Sequence, residues 1–241
     1  MHRLSRCGGR LLLGLLHFGF ALFLALGRLI RPLLRRPGLL HLQEAAFGKV
    51  PSHLALILGP EEASYDDMVK LIAWSFPVGI KHLSLYDPKN GIEAEKLFEN
   101  VRKSGRQYIP KIKWGNSFSE EIKNQSKKSI NGYRWNPTLT VHIYKREDGL
   151  PRIVETAKEL FSAGCMSVDR EILGMKLQGS LAAPDPDLAV ICGDTLCYYA
   201  FPPWHLRITQ MLTLETHHNF TANQFVQLLK DYCKCEQRYG K

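Results

Sequence analysis

The six residues His53-Leu-Ala-Leu-Ile-Leu58 are a short, almost unbroken apolar run. A half-exposed strand would alternate apolar and polar side chains; an unbroken run reads as a strand buried on both faces. Such a strand needs cover on two sides, which helices packed on both faces of a parallel sheet provide. The following residues supply those helices. Ser64 and Asp67 open a stretch with Met68, Val69, Leu71, Ile72 and Phe76 at helical spacing. Ile80 to Tyr86 reads as a second strand, stopped by Asp87-Pro88. Ile92 to Lys103 is predicted helical with Leu97, Phe98 and Val101 inward, and a weaker strand lies within Tyr108 to Lys113. A polar helix over Ser117 to Lys128 and a strand over Thr138 to Ile143 come next. Leu150, Ile153, Val154, Ala157, Leu160 and Phe161 form the clearest amphipathic helix. A short helix over Asp169 to Leu177 and a strand over Leu188 to Cys192, after the Pro184-Asp-Pro-Asp187 turn, complete the alternation. Thr221 with Gln224 three residues on is a capping box. It starts a helix whose inner positions are Phe225, Val226, Leu228, Leu229, Tyr232 and Cys233. Alternating strands and helices predict an α/β domain with a central parallel sheet.

Ahead of that domain the chain is of another kind. Leu11 to Gly27 contains one polar side chain, His17, and as a helix would span about 26 Å. Three arginines precede it and four follow, a pattern that favours the body on the cytosolic side of an endoplasmic reticulum membrane. The alternative is a cleaved signal peptide ending at Ala25-x-Gly27. The expected organisation is a membrane anchor with basic flanks over 1–36 (helix about 11–27), a linker over 37–50 and one domain over 51–241. The formal net charge is +9. Seven arginines and no acid lie in the first 36 residues, so the body carries only +2. The excess belongs to the membrane end and to membrane lipid, with no nucleic acid implied. The six cysteines form no C-x-x-C pair and are expected to be reduced thiols. His205, His217 and His218 lack the spacing of a zinc site and read as structural.

The chemistry-bearing stretch is the last one, Arg238-Tyr239-Gly240-Lys241. A guanidinium is a rigid five-donor fork matched to phosphate oxygens, and glycine lets backbone N–H groups approach an anion. With the apolar N-terminal stretch and the α/β body, this tail makes the chain resemble the cis-prenyltransferase (undecaprenyl diphosphate synthase) family over essentially its full length. The resemblance implies that Arg238 and Gly240 are the family's C-terminal Arg-x-Gly, which crosses a subunit interface to the partner's diphosphate and Mg²⁺. It also implies losses. A complete member follows the first strand with Asp-Gly-Asn-Arg, where the aspartate holds Mg²⁺; here the strand runs into Gly59-Pro60-Glu61-Glu62. The later Arg-x-Ser-Gly-Glu segment is replaced by Ile191-Cys192-Gly193-Asp194. The region after it would be the subunit interface, with Tyr198, Tyr199, Phe201 and Trp204 as contacts.

The expectation is therefore an accessory subunit, inactive alone, paired with a catalytic cis-prenyltransferase (a dehydrodolichyl diphosphate synthase) that holds most of the Mg²⁺. The pair would act on isoprenoid diphosphates, adding isopentenyl diphosphate to farnesyl diphosphate to make the dolichol precursor for protein glycosylation. The competing expectation is a membrane receptor for a protein ligand such as Nogo-B. An outward-facing body would then expose the sequons at Asn124 and Asn219.

Overall fold

The computed structural model describes residues 47–128, 135–165, 167–181 and 183–235. Its strands are β1 (His53–Ile57), β2 (His82–Tyr86), β3 (Ile112–Trp114), β4 (Leu139–Tyr144), β5 (Leu188–Cys192) and β6 (Gln210–Leu214). Its helices are α1 (Tyr65–Val78), α2 (Ala94–Ser104), α3 (Glu120–Lys128), α4 (Leu150–Ser162), α5 (Arg170–Leu181) and α6 (Ala222–Lys234). The strands form one sheet in the order β3-β4-β2-β1-β5-β6, and every neighbouring pair is parallel.

β1 lies inside the sheet and is buried along its whole length, as its apolar run predicts. Leu54, Leu56 and Leu58 enter the larger core with Met68, Ile72 and Trp74 of α1 and Leu97 and Val101 of α2. Phe225, Leu229 and Tyr232 of α6 join the same cluster. Ala55 and Ile57 point the other way, into a smaller cluster with Tyr86, Tyr144, Ala189, Ile191 and Phe201. α1 and α2 carry the chain from β1 towards the β3 side; α4 and α5 carry it back from β4 to β5. Parallel crossovers are right-handed, so opposite directions of travel put these helices on opposite faces.

Two expectations about the elements differ from the structure. Arg106–Lys111 is a 3₁₀ turn, and the third strand is only the three residues after it. Pro110 within that turn lacks the N–H a strand ladder uses. β6 was not expected: it is an edge strand whose residues are mostly half-buried, so its burial signal is weak. The stretch Leu11–Gly27, read as a transmembrane helix, lies outside the described residues; among those described, no helix is long and apolar enough to cross a membrane. The described cysteines, Cys165, Cys192, Cys197, Cys233 and Cys235, are free thiols.

α6 is held at both ends. Its N-terminus has the predicted capping box, with the Gln224 N–H donating to Thr221 Oγ1 at 3.3 Å and the Thr221 N–H to Gln224 Oε1 at 3.0 Å. Its last turn meets the segment that leads into β1. The Cys233 thiol donates to the Lys49 carbonyl at 2.7 Å, and the Lys49 ammonium lies 4.6 Å from the Tyr232 ring centroid. Phe47 and Val50 pack against the larger core beside it. α6 therefore runs from the carboxyl edge of the sheet to the amino edge.

Candidate functional site at the carboxyl edge of the sheet

In an open parallel sheet a ligand crevice lies outside the carboxyl ends of the strands, where the chain's direction of travel reverses. Here that point is between β1 and β5. The loops that shape it are 59–64 after β1 and 193–202 after β5.

The crevice is filled from within. A Cβ on Gly59 would lie 2.2 Å from the Cys192 carbonyl oxygen, so the exits of β1 and β5 touch backbone to backbone. The Tyr199 hydroxyl stands 3.6 Å from that Cβ position and 3.4 Å from the one at Gly193. Tyr199 and Ala200 both adopt left-handed backbone conformations, with φ of 48° and 63°. Such values cost non-glycine residues on the order of 1 kcal/mol each and persist where surrounding contacts enforce them. The contacts are visible. The Tyr86 hydroxyl donates to the Tyr199 carbonyl at 2.7 Å, and the Phe201 N–H donates to the Tyr198 carbonyl at 2.7 Å. Phe201 sits edge-on to Tyr86 and Tyr144, with centroids 5.4 and 5.6 Å away. Burial pushes the Tyr86 hydroxyl up to about 12, so it remains a donor at neutral pH.

The N-terminus of α1, the natural place for a diphosphate, is occupied by the chain's own acids. The Asp67 carboxylate accepts from Ser64 Oγ at 2.7 Å, Lys70 Nζ at 2.5 Å and the Asn219 N–H at 3.0 Å. Burial opposes its charge, but the bonds from Lys70, Ser64 and Asn219 outweigh that and hold its carboxyl below the usual range. The Ser64 N–H is spent on His217 Nε2 at 3.1 Å. Glu61 accepts the Thr216 hydroxyl at 2.7 Å and lies 3.1 Å from His217 Nδ1. Glu62 and Asp66 add two more negative charges beside the same turn. The helix dipole is thus met by carboxylates already in place, and a substrate anion would be repelled.

Mg²⁺ does not fit here. It asks for octahedral oxygen ligands, and the β1 exit offers Gly59 and Pro60 where a carboxylate would be needed. Glu61, His217 and His218 do gather donor atoms within 4.8 Å of one another. His217, however, accepts the Ser64 N–H through Nε2, so in the neutral ring the proton sits on Nδ1, facing Glu61. No nitrogen of that ring is left to bind a cation. Asp187, from the Pro-Asp-Leu motif, works at the opposite edge, where its carboxylate takes the Ser52 and His53 N–H groups at 2.7 and 3.0 Å. Asp194 is exposed.

Because the β1 and β5 exits are in backbone contact, Gly59→Ala is expected to destabilise the fold by about 2–3 kcal/mol, an overpacking cost with no flexible neighbour to yield. Thermal unfolding checks it, with Gly48→Ala as the control: nothing lies within 4 Å of a Cβ there. Equal melting temperatures for the two variants would show that the exits are loosely apposed.

The four aromatic contact candidates are used differently. Phe201 is a correction: it is fully buried in this chain's own core and unavailable to a partner. Tyr199 is half-buried over the crevice, Tyr198 is exposed, and Trp204 is half-buried with its ring 3.7 Å from a Gly174 Cβ position on α5. Sequence reasoning missed a larger feature. Half of the apolar stripe of α4 is turned outward: Leu150 is 57%, Val154 53% and Phe161 76% exposed, while Leu160 is buried. Met175 of α5 and Val168 before it are exposed as well. Periodicity reports that a helix has an apolar face, not what covers it. Exposed apolar surface of this extent marks an interaction site. It is continuous with the 198–204 segment, since a Gly149 Cβ at the start of α4 would lie 2.8 Å from the Ala200 carbonyl oxygen. Arg238 and Gly240 lie outside the described residues.

No family model matches the chain. In sequence it is 29% identical over 203 residues to the human dehydrodolichyl diphosphate synthase complex subunit NUS1, covering 80% of this chain and 68% of that one. The Saccharomyces cerevisiae protein of the same name is 26% identical over 233 residues, 80% of this chain and 60% of its own. Among solved structures it is similar to lavandulyl diphosphate synthase from Lavandula x intermedia, with TM-score 0.57, 17% identity, and 79% and 98% of the two chains covered. It is also similar to a probable undecaprenyl diphosphate synthase from Campylobacter jejuni, with TM-score 0.53, 18% identity, and 80% and 100% covered. At these identities the solved structures establish the fold, which is that of the cis-prenyltransferases.

Proposed function

We infer that this chain, a relative of the NUS1 subunits on a cis-prenyltransferase fold, is the accessory subunit of a dehydrodolichyl diphosphate synthase complex. It pairs with a catalytic cis-prenyltransferase, and the pair condenses isopentenyl diphosphate onto farnesyl diphosphate to give the polyprenyl diphosphate precursor of dolichol. The observation that carries the reading is the crevice between β1 and β5. It is closed by Tyr199 and lined at α1 by Glu61, Asp66 and Asp67, in a chain whose relatives are named as subunits of a synthase complex. A crevice in that state neither binds diphosphate nor holds Mg²⁺, so the metal is the partner's. The exposed apolar stripe of α4 and α5, with Tyr198 and Trp204 at its margin, offers the partner a surface.

The tail follows from the course of α6. That helix ends at the amino edge of the sheet, about 20 Å along its axis from the carboxyl edge where it starts. Arg238 is three residues beyond Cys235, a reach of about 11 Å at full extension. That separation supports a role for Arg238 outside its own crevice. In the partner's site its guanidinium would meet diphosphate charge while the backbone near Gly240 adds N–H donors. In this reading the Leu11–Gly27 helix anchors the subunit in the endoplasmic reticulum membrane, with the body cytosolic.

The test is incorporation of radiolabelled isopentenyl diphosphate by this chain alone, by a catalytic partner alone and by the two together. Strong activity only in the mixture is expected. Activity from this chain alone would mean that the crevice opens and works; no effect on the partner would remove the accessory role.

A further inference from the structure

A parallel sheet sends every loop that feeds a strand to one edge and every loop that leaves a strand to the other. In this chain the two edges carry opposite charge. The leaving loops hold Glu61 and Glu62 after β1, Asp87 and Glu93 after β2, Glu147 and Asp148 after β4, Asp194 after β5 and Glu215 after β6, against the cations Lys89, Lys145 and Arg146, so that edge is net negative. The loops that feed β1, β2 and β3 (residues 47–52, 79–81 and 105–111) hold Lys49, Lys81, Arg106 and Lys111, and no acid. The last turn of α2 adds Arg102 and Lys103. Arg102 is paired with Glu99 at 2.7 Å. Lys81, Lys103, Arg106 and Lys111 are exposed, and none forms an ion pair among the described residues.

These cations stand on a fixed row. The Lys81 N–H donates to the Ser52 carbonyl at 2.9 Å, the Thr140 N–H to the Lys81 carbonyl at 2.8 Å, and the Thr138 N–H to the Lys111 carbonyl at 2.9 Å. The row ends towards β5 and β6, where Arg207 is paired with Asp185 at 2.9 Å and Asp187 caps backbone N–H groups. The same edge is where the chain coming from the apolar N-terminal stretch joins the body, at Phe47.

We propose that the amino edge of the sheet is a surface for anionic phospholipid headgroups, with Lys81, Lys103, Arg106 and Lys111 as its charged contacts. The partner follows from the kind of charge. Lysine is a point charge on a flexible stem, suited to mobile headgroups spread over a plane. Each such cation near an anionic membrane surface strengthens attachment about fivefold. A single-stranded nucleic acid would also seek rings to stack on, but the aromatic side chain of this loop, Tyr108, is already stacked on Phe76 at 4.9 Å. The proposal does not depend on the synthase reading: it concerns where the body lies, not what it pairs with.

Hydrogen–deuterium exchange of the full chain on vesicles tests it. On phosphatidylcholine alone the segments 79–82 and 105–113 are expected to exchange as they do without vesicles. With phosphatidylserine added they slow several-fold, and 1 M salt, where the Debye length falls to about 3 Å, restores the rate. Lys81→Glu, Arg106→Glu and Lys111→Glu together abolish the slowing, while circular dichroism and thermal unfolding show that the variant is folded. Equal exchange on both vesicle types overturns the proposal, as does slowing that survives the three reversals. Protection of the same segments by a DNA duplex but not by phosphatidylserine would assign the edge to nucleic acid instead.

Discussion

Replacing Arg238 by alanine is expected to slow isopentenyl incorporation by the paired enzyme about 100- to 1000-fold, with pairing unchanged. α6 anchors itself through Phe225, Leu228, Leu229 and Tyr232; Arg238 lies past the last buried position. The last buried residue described in α6 is Tyr232, six positions before Arg238, so the substitution is expected to leave the fold intact. On the proposed reading, what is lost is a charge-assisted, two-pronged contact with a diphosphate whose charge changes during transfer. Arg238→Lys separates the two parts of that effect, since it keeps the charge and loses the fork; an intermediate rate is expected. The rate is read from labelled isopentenyl diphosphate and the pairing from a pull-down. Loss of pairing in the alanine variant would make the tail a structural clasp.

Acid is expected to destabilise the body steeply below pH 6.5. His53, His82 and His142 stand on neighbouring strands of one sheet face, with His53–His82 and His82–His142 ring centroids 5.6 and 5.9 Å apart. His53 is wired as a neutral ring. Its Nδ1–H donates to the Pro184 carbonyl at 2.6 Å, which leaves Nε2 to accept the Ser84 hydroxyl at 2.6 Å. Burial, the dominant cause, pushes His53 down to about 4 and His142 to about 3. Because the folded values lie below the unfolded one, the unfolded chain binds protons first as pH falls. Their contribution is therefore full well above pH 6.5 and is lost on the way down to about pH 4 for His53 and about pH 3 for His142. For His53 and His142 together the loss between pH 7 and pH 5 is roughly 4 kcal/mol. Denaturant unfolding at the two pH values measures it, and His142→Asn is expected to remove about half. A flat profile would mean that water reaches these rings.

The sheet was legible where burial on both faces writes itself as an apolar run, as in β1, β2, β4 and β5. The α6 cap was legible because its reciprocal bonds need particular side chains at particular spacing. β3 and β6 were less so, since an edge strand is covered on fewer sides and its residues need not be apolar. The closed crevice was half legible. Gly59-Pro60-Glu61-Glu62 announces the missing carboxylate, but the Tyr199 plug depends on contacts with Tyr86, Gly59 and Gly193, residues remote in sequence. Phe201 was read as a partner contact, and the exposure of the α4 stripe was not read at all, for one reason. An apolar side chain looks the same in sequence whether its cover comes from its own chain or from another.

The two-ended pinning of α6 bears on how a borrowed group can be effective. A tail rooted in a mobile helix would search a large volume and spend most of its time away from its target. With α6 rooted at Cys233 and Tyr232 against Lys49, Arg238 is separated from the fixed end of the helix by only a few residues of chain. The effective concentration of a group on so short a leash is millimolar or higher. If the tail enters a partner's site as proposed, its guanidinium is in practice always present once the subunits are docked, and its arrival does not limit turnover.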